Sequence, residues 1–171
     1  MFPNPRNRRL PRECYCDPER VVYLTIRATE KTSPFASVEI GKNSRPKVKF
    51  NHDLCVATLN CLEELRQKHE CNILIACLMP DHLHAQSRPR AVGRDVVTLF
   101  DQFKGKSTNS SWRFEWQGRL WQPRSFDHVL RTDESIDGKV EYIANNPVRK
   151  GYVEDWRDWP YTVRWDICRW C

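Results

Sequence analysis

The sequence has no long apolar segment and no recognisable export signal. None of its apolar runs approaches the roughly 20 residues that a transmembrane helix requires. The first residues carry arginine and proline without the apolar stretch of a secretory signal. A glycine-rich phosphate-binding loop of the P-loop type is also missing. We therefore expect a cytoplasmic protein.

The eight cysteines are not expected to form disulfides, because a chain that is not exported stays in a reducing compartment. Four of them lie in apolar patterns and are expected to be small buried side chains, namely Cys55, Cys61, Cys71 and Cys77. The other four form a pair near each end, Cys14 with Cys16 and Cys168 with Cys171. If the ends met, these thiolates would suit a tetrahedral zinc ion. Only the second pair has ordinary zinc spacing, so zinc binding stays open.

Length and charge indicate one basic domain. The length of 171 residues fits a single domain with a sizeable core. The formal net charge of +6 suits a polyanionic partner such as nucleic acid, although a merely soluble basic surface would have the same composition. Residues 1–20 are interpreted as a basic arm or a simple disordered tail, residues 21–161 as the domain, and residues 162–171 as a C-terminal tail.

The most informative stretch is residues 73–87. An apolar run and a Pro-Asp turn precede a segment that alternates as a strand does. Side chains on a strand point to opposite faces with a period of two, so His82, His84 and Gln86 share one face and Leu83 lies on the other. Two imidazoles one strand step apart can hold a metal ion or a phosphate. A pair of half-exposed polar side chains is the plainer alternative.

The remaining pattern predicts strands alternating with helices. Strands are predicted at residues 21–27, 71–79, 82–87 and 126–131, with short edge strands at 38–40 and 48–50. Helices are predicted from a cap at Asn51 to about residue 70, from Val92 through Phe103 to about residue 106, and over residues 133–145 after a cap at Thr132, ending at Pro147. This order predicts an α+β fold, a ferredoxin-like antiparallel sheet with helices on one face. The other face is left for the histidines and the last helix.

The last predicted helix has a polar side next to its apolar stripe. At roughly 100° per residue, Ser135, Lys139, Tyr142 and Asn146 cluster together, and the last two, at i and i+4, face the same neighbour. Packing this side against the histidines brings two imidazoles, an amide oxygen and a phenol around one point. Such donors can hold Mg²⁺ or Mn²⁺. The phenol could then act as a covalent nucleophile on phosphorus.

Two segments resemble the signatures of a known family. Residues 79–84, Met-Pro-Asp-His-Leu-His, resemble the metal-binding signature of the single-tyrosine HUH transposases. Residues 142–148, Tyr-Ile-Ala-Asn-Asn-Pro-Val, resemble the second signature of the branch known as REP-associated tyrosine transposases. The two occur in the family's order and at about its spacing. The resemblance extends over residues 21–161.

This resemblance implies an activity and a set of residue roles. The implied protein is a transposase, a single-strand DNA endonuclease that cleaves and rejoins DNA near hairpins through a 5′-phosphotyrosine intermediate. His82 and His84 match the paired metal ligands, Asn146 a third polar ligand, and Tyr142 the nucleophile. The implied cofactor is Mg²⁺ or Mn²⁺, and the implied partner is single-stranded or hairpin DNA such as REP-like palindromes. A nucleoid-associated monomer or homodimer without a membrane partner is expected.

Further DNA contacts are predicted from basic and aromatic residues. Arginines alternate with aromatic side chains that could stack on bases around residues 112–121. The candidate phosphate contacts are Lys104, Lys106, Arg113, Arg119 and Arg131. The plainer alternatives are a helix dipole for the lysines and core packing for the tryptophans. His128 could orient a phosphate, although a structural role suits it better.

Two other functions remain open at this level. The chain could be a metal-dependent nuclease that uses water and leaves Tyr142 a structural role. It could instead be a DNA-binding module without catalysis. A covalent protein–DNA adduct separates the first function from both alternatives.

Overall fold

The computed structural model describes residues 10–29, 32–42, 44–68 and 71–165. Its strands and helices, in chain order, are β1 (Val22–Arg27), β2 (Ala36–Glu39), β3 (Lys47–Phe50), α1 (His52–Lys68), β4 (Cys71–Leu78), β5 (His82–Pro89), α2 (Val96–Ser111), β6 (Phe126–Val129), α3 (Ile136–Ala144), α4 (Asn146–Arg149) and β7 (Thr162–Arg164). Cys168 and Cys171 lie outside the described residues, so the zinc hypothesis stays a prediction. The same holds for the first arginines of the predicted arm, Arg6, Arg8 and Arg9.

The main sheet has five antiparallel strands in the order β6-β1-β5-β4-β7. The first four strands in this order form the ferredoxin-like arrangement, so the predicted α+β fold is confirmed. β5 lies in the middle and is hydrogen-bonded on both sides. The predicted hairpin between β4 and β5 is also present, closed by a hydrogen bond of 2.8 Å from the Met79 nitrogen to the His82 oxygen.

The two faces of the sheet are covered by different helices. Trp121 pairs with Ala28 just beyond β1 and donates to Ser107 of α2 over 2.8 Å, which places α2 on the face of Leu83. α1 packs beside α2 in the same layer. On the histidine face, Gln86 donates to the backbone oxygen of Ile136 at the start of α3, over 3.4 Å. Two helices therefore cover one face, and α3 covers the other as predicted.

The smaller elements confirm one predicted detail and differ from the prediction in two others. The Asn51 side chain accepts from the Leu54 nitrogen at 3.4 Å, so the predicted cap of α1 is confirmed. β2 and β3 pair with each other in a separate two-stranded ribbon, not as edges of the main sheet. Within the predicted arm, Tyr15 is buried against the core and bonds to Asp127 of β6.

The predicted bounds of α2 are wrong at both ends. Val92 is exposed and precedes Gly93, whose φ of 85° is incompatible with a helix. α2 begins only after Asp95, whose carboxylate accepts from the Val97 nitrogen over 2.8 Å. It also continues past Gly105 through the polar run to Ser111. There the hydroxyls of Ser107 and Ser111 bond back to carbonyls of the preceding turn, which satisfies them within the helix.

The predicted bounds of the last helix also need correction. Ser135, not Thr132, caps α3, and its hydroxyl accepts from the Gly138 nitrogen over 2.9 Å. Pro147 does not end the helical segment. It lies in the first turn of the separate helix α4, where the missing N–H of proline costs no hydrogen bond.

The C-terminal region contains a strand that the sequence pattern did not reveal. β7 pairs with β4 inside the segment expected to be irregular, and Trp159 donates to the Leu78 oxygen over 2.9 Å. The described part of the chain contains no helix long and apolar enough to cross a membrane.

Candidate active site

The histidine face of β5 brings two imidazoles into direct contact. The Nε2 atoms of His82 and His84 lie 3.0 Å apart, and the ring planes are nearly perpendicular at 80°. Two donor atoms that each lie ~2.1 Å from one ion, at right angles, are themselves ~3 Å apart. The spacing of the two nitrogens therefore fits a shared divalent cation.

The other nitrogen of each ring is held by a neighbouring side chain. His82 Nδ1 lies 2.6 Å from an oxygen of Asp81, and this contact lowers the pKa of that carboxyl group. His84 Nδ1 lies 2.8 Å from the hydroxyl of Tyr23 and 3.0 Å from that of Thr25, both on β1. Such partners fix the tautomer and orientation of metal-binding histidines. Both Nε2 atoms are thus aimed at the same point.

His84 is kept neutral by its surroundings. Burial lowers its pKa to about 3, with smaller contributions from the charges of His82 and Arg27. A neutral imidazole is the form that binds metal ions. His84 is therefore in the ligand form throughout the physiological pH range.

Helix α3 carries Tyr142, and the adjoining helix α4 begins with Asn146. Asn146 is buried, and its Nδ2 donates to the backbone oxygens of Tyr142 at 3.1 Å and Ile143 at 3.4 Å. Among the described residues, no hydrogen bond engages its amide oxygen, which is the atom that would bind a cation. No hydrogen bond of the described part joins Tyr142 or Asn146 directly to the histidines. The packing of α3 on the sheet and of α4 on α3 brings the two residues to the site.

Tyr142 lies between two cationic side chains. Its ring is 42% exposed, whereas Tyr23 is 7% exposed and Tyr15 3% exposed. The Arg149 guanidinium lies 4.2 Å from the ring centroid, and the Lys139 ammonium lies 5.1 Å from it. Lys139 also lies 4.9 Å from the Tyr23 ring, which links α3 to β1. An exposed phenol with adjacent positive charge is well placed to meet a phosphate.

Comparison with known proteins identifies curated relatives over part of the chain. A protein of Haemophilus influenzae assigned to the REP-associated tyrosine transposases is 29% identical over 96 residues, covering 50% of this chain and 54% of the relative. The REP-associated tyrosine transposase of Escherichia coli is 28% identical over 93 residues, covering 54% of each protein. The chain thus spans about half the length of these relatives. No protein-family model matches it.

A solved structure matches this chain in fold. The structure of a REP-associated tyrosine transposase bound to a REP hairpin superposes with a TM-score of 0.66 at 17% identity, covering 86% of this chain and 78% of that one. This chain is similar to the REP-associated tyrosine transposases. The suspected resemblance is thereby confirmed.

A metal site of the type that the family resemblance implies would rely on an amide as its third protein ligand. In the described part of the chain, no group of three or more His, Cys, Asp or Glu side chains could hold a metal ion. The candidate donors are two imidazoles and the Asn146 oxygen. Asparagine is not one of those four residue types, so this set does not count as such a group. The metal roles of His82, His84 and Asn146 stay predictions, which the arrangement of their atoms supports.

The predicted phosphate contacts outside the site are spread over other surfaces. Lys104 donates to the Pro123 oxygen over 2.7 Å, and Lys106 forms an ion pair with Glu64 of α1, on the face opposite the histidines. Arg113 follows α2, Arg119 lines a surface groove of about 410 Å³ with Trp121, and Arg131 is exposed after β6. Their roles in DNA binding stay predictions. His128 is paired with Glu134 at 2.8 Å, as its structural interpretation expects.

The sequence pattern missed the supporting residues of the site. Tyr23 and Thr25 carried a usable signal, because they alternate on β1 and the register pairs Thr25 with His84. Lys139 lies one turn before Tyr142 and was placed on the correct face. Arg149 carried no signal, because it reaches the Tyr142 ring from α4, which was not predicted.

Proposed function

We propose that the chain cleaves and rejoins one strand of DNA beside a hairpin, using Tyr142 as the covalent nucleophile. The observation that carries this proposal is the pair of imidazole nitrogens 3.0 Å apart under α3, the helix that carries an exposed tyrosine. The sequence similarity to REP-associated tyrosine transposases supports the same conclusion.

The proposed metal ligands are His82, His84 and the amide oxygen of Asn146. Asp81 and Tyr23 would accept the Nδ1 protons of the two rings, which leaves both Nε2 lone pairs for the ion. Mg²⁺ or Mn²⁺ bound there would polarise the scissile phosphodiester and offset the charge of its transition state. The donor set fits such an ion.

The nucleophilic step uses the Tyr142 hydroxyl. Its oxygen attacks phosphorus and its proton is lost to water, while the bond from phosphorus to the 3′ oxygen of the departing strand breaks. That 3′ oxygen takes up a proton, and the other strand end stays on Tyr142 as a 5′-phosphotyrosine. Attack by a 3′-OH on this linkage rejoins the strand and restores the tyrosine. Because the ester conserves the energy of the broken bond, no ATP is needed.

The proposed substrate is single-stranded DNA next to an imperfect hairpin, such as a REP-like palindrome. The solved relative of matching fold is bound to a REP hairpin. The net charge of +6 and the two cations beside Tyr142 suit a phosphate backbone. A monomer or homodimer remains our expectation for the assembly, and a location at the nucleoid would follow from DNA binding.

The deciding experiment is adduct formation on a labelled hairpin oligonucleotide with Mn²⁺. Wild type should give a species that survives a denaturing gel, and Tyr142→Phe should abolish it while hairpin binding remains. Tyr152→Phe is the matched control, because Tyr152 keeps its stacking on Trp159 without the hydroxyl and should keep the adduct.

The two alternative functions give different results in the same gel. Cleavage without an adduct would identify a nuclease that uses water. Binding without cleavage would identify a DNA-binding module. An adduct mapped by peptide sequencing to another tyrosine would overturn the role of Tyr142.

A further inference from the structure

A row of contacts between aromatic and cationic side chains crosses the site. From α4 to the sheet edge the row consists of Arg149, Tyr142, Lys139, Tyr23 and Phe126. Its successive separations are 4.2, 5.1, 4.9 and 6.3 Å, measured between cationic atoms and ring centroids or between two ring centroids. We call it the aromatic–cation row. Alternating phosphate and base contacts are what a single strand of DNA requires.

Phe126 is the exposed end of this row. Three aromatic side chains in the described part stand well exposed: Trp112 at 56%, Phe126 at 46% and Tyr142 at 42%. Two of them belong to the row, and Trp112 follows α2 on the opposite side of the sheet. A single exposed apolar side chain needs no explanation. Here, however, its position beside the proposed nucleophile and two cations gives it a specific possible partner.

The register fixes where the Phe126 ring lies. Phe126 pairs with Thr25, whose hydroxyl contacts His84, so Phe126 is on the histidine face two strands from the metal ligands. Two inter-strand spacings amount to about 10 Å. That span suits a phosphate at the imidazoles and a base of an adjoining nucleotide at the ring. β6 is also the edge strand of the sheet, so no further strand covers the outer side of the ring.

The orientation of the ring is set from within the protein. Phe126 meets Tyr23 edge to face, with an angle of 67° between the ring planes. Tyr23 is in turn bonded to His84 and lies against Lys139. The ring is thus held on its Tyr23 side, and its 46% exposure leaves surface for contact with a planar partner.

We propose that Phe126 stacks on one unpaired base of the DNA strand, belonging to a nucleotide that adjoins the scissile phosphate. This inference rests on the proposed function, since it needs DNA in the site. Stacking tolerates any base because every base has a π-face. Phe126 would therefore position the strand for attack by Tyr142 and favour unpaired DNA over duplex, in which both faces of each base are already stacked.

The test uses an oligonucleotide whose cleavage site has been mapped from the wild-type adduct. 2-Aminopurine replaces the base on either side of that phosphate, and binding is followed in a Tyr142→Phe background so that the strand stays intact. Stacking should quench the fluorescence at one of the two positions. Quenching should persist in Phe126→Tyr, which keeps the ring, and disappear in Phe126→Leu. Trp112→Leu should behave as the unsubstituted protein does.

A second measurement removes the base from the DNA and compares the loss of binding in two proteins. An abasic site at the quenched position should weaken wild-type binding about tenfold, within the range of measured base–aromatic stacking. It should change the binding of Phe126→Leu by less than twofold. Full quenching in Phe126→Leu, no quenching at either position, or equal abasic losses in both proteins would overturn the stacking role.

The outcomes separate this inference from the proposed function. A wild-type adduct that forms without any effect of base replacement would overturn only the role of Phe126. A wild-type protein that forms no adduct would overturn the proposed nucleophile and the stacking site together.

Discussion

The hydroxyl of Tyr23 lies 2.8 Å from Nδ1 of His84, the ring nitrogen that does not face His82. Its burial raises its pKa, so it remains a neutral phenol that can accept the imidazole proton. Loss of an outer partner of this kind typically costs 10- to 100-fold in metal affinity. Since Thr25 also reaches Nδ1, we expect Tyr23→Phe to raise the Mn²⁺ concentration for half-maximal adduct formation about tenfold, the low end of that range.

The position of the adduct controls for this prediction. With saturating Mn²⁺, Tyr23→Phe should still form the adduct on Tyr142, because Tyr23 is only a positioning residue. Tyr152→Phe should leave the Mn²⁺ midpoint where wild type has it. An unchanged midpoint in Tyr23→Phe would show that the hydroxyl does not support the metal site.

The buried cysteines make a separate prediction at the scale of single residues. Burial raises the pKa of the Cys55 and Cys77 thiols to about 12 and that of Cys71 to about 11. At pH 8 these thiols carry almost no reactive thiolate, so iodoacetamide should modify them only after unfolding. Half-buried Cys14 and Cys16 should react before these three thiols in the native protein. Peptide mass spectrometry after timed labelling would show the order, and early labelling of Cys77 would contradict the packing of β4.

Helix α2 contains a glycine that its packing does not require. Gly105 lies inside the helix, is exposed, and an added Cβ would meet no atom within 4 Å. Glycine in a helix interior is ~0.5–1 kcal/mol less favourable than alanine. Gly105→Ala should raise the free energy of unfolding by about that amount. Urea denaturation followed by circular dichroism would measure it.

Gly151 provides the matched control for this substitution. It also has open space around its Cβ position, but its φ is 71°, in the left-handed region. Gly151→Ala should lower the free energy of unfolding by about 1 kcal/mol, because left-handed backbone is costly for alanine. A gain in both variants would mean that backbone conformation does not decide the effect.

Local sequence signals located most elements but misplaced some of their ends. β1, α1, β4 and β5 follow clear apolar patterns, and the structure has them close to the predicted bounds. The helical spacing of Val92 was accidental, since the backbone of Gly93 and the cap at Asp95 start α2 later. β7 has only three residues and exists through pairing with β4. Such an element depends on tertiary contacts, which local patterns do not contain.

The residues of the candidate site also divide into those that local patterns locate and those that depend on tertiary contacts. His82 and His84 could be paired from the two-residue period of one strand, and Tyr142 and Asn146 from the spacing of one helical segment. The contacts of Tyr23 with His84 and of Arg149 with Tyr142 join different elements. They depend on strand register and on the short helix α4. Sequence reasoning therefore located the candidate ligands and the candidate nucleophile but missed the side chains that contact them.

The distribution of charge over the whole molecule predicts which cations meet DNA. Arg149 lies on the Tyr142 ring, whereas Lys106 is already paired with Glu64 on the far face. Each phosphate contact to a single strand contributes about 0.7 to the slope of log affinity against log salt. We expect Arg149→Gln to reduce that slope by about 0.7 and Lys106→Gln to leave it unchanged.

Fluorescence anisotropy with hairpin DNA over a range of salt concentrations would measure both slopes. A reduction in Lys106→Gln equal to that in Arg149→Gln would show that DNA also binds the face of α1 and α2. It would then support the predicted contacts of Lys104 and Lys106.

The order of the strands distinguishes residues that the sheet holds on both sides from residues at its edge that could be substituted. The histidine pair lies on β5, which has a hydrogen-bonded neighbour on each side, whereas Phe126 lies on the edge strand β6 beside the loop at residues 123–125. Substitutions in β6 and in this loop would alter the surface offered to DNA and leave both neighbours of β5 in place. An engineer who wishes to test binding of a different hairpin should therefore diversify β6 and the loop at residues 123–125 and keep β5 and its two neighbouring strands constant.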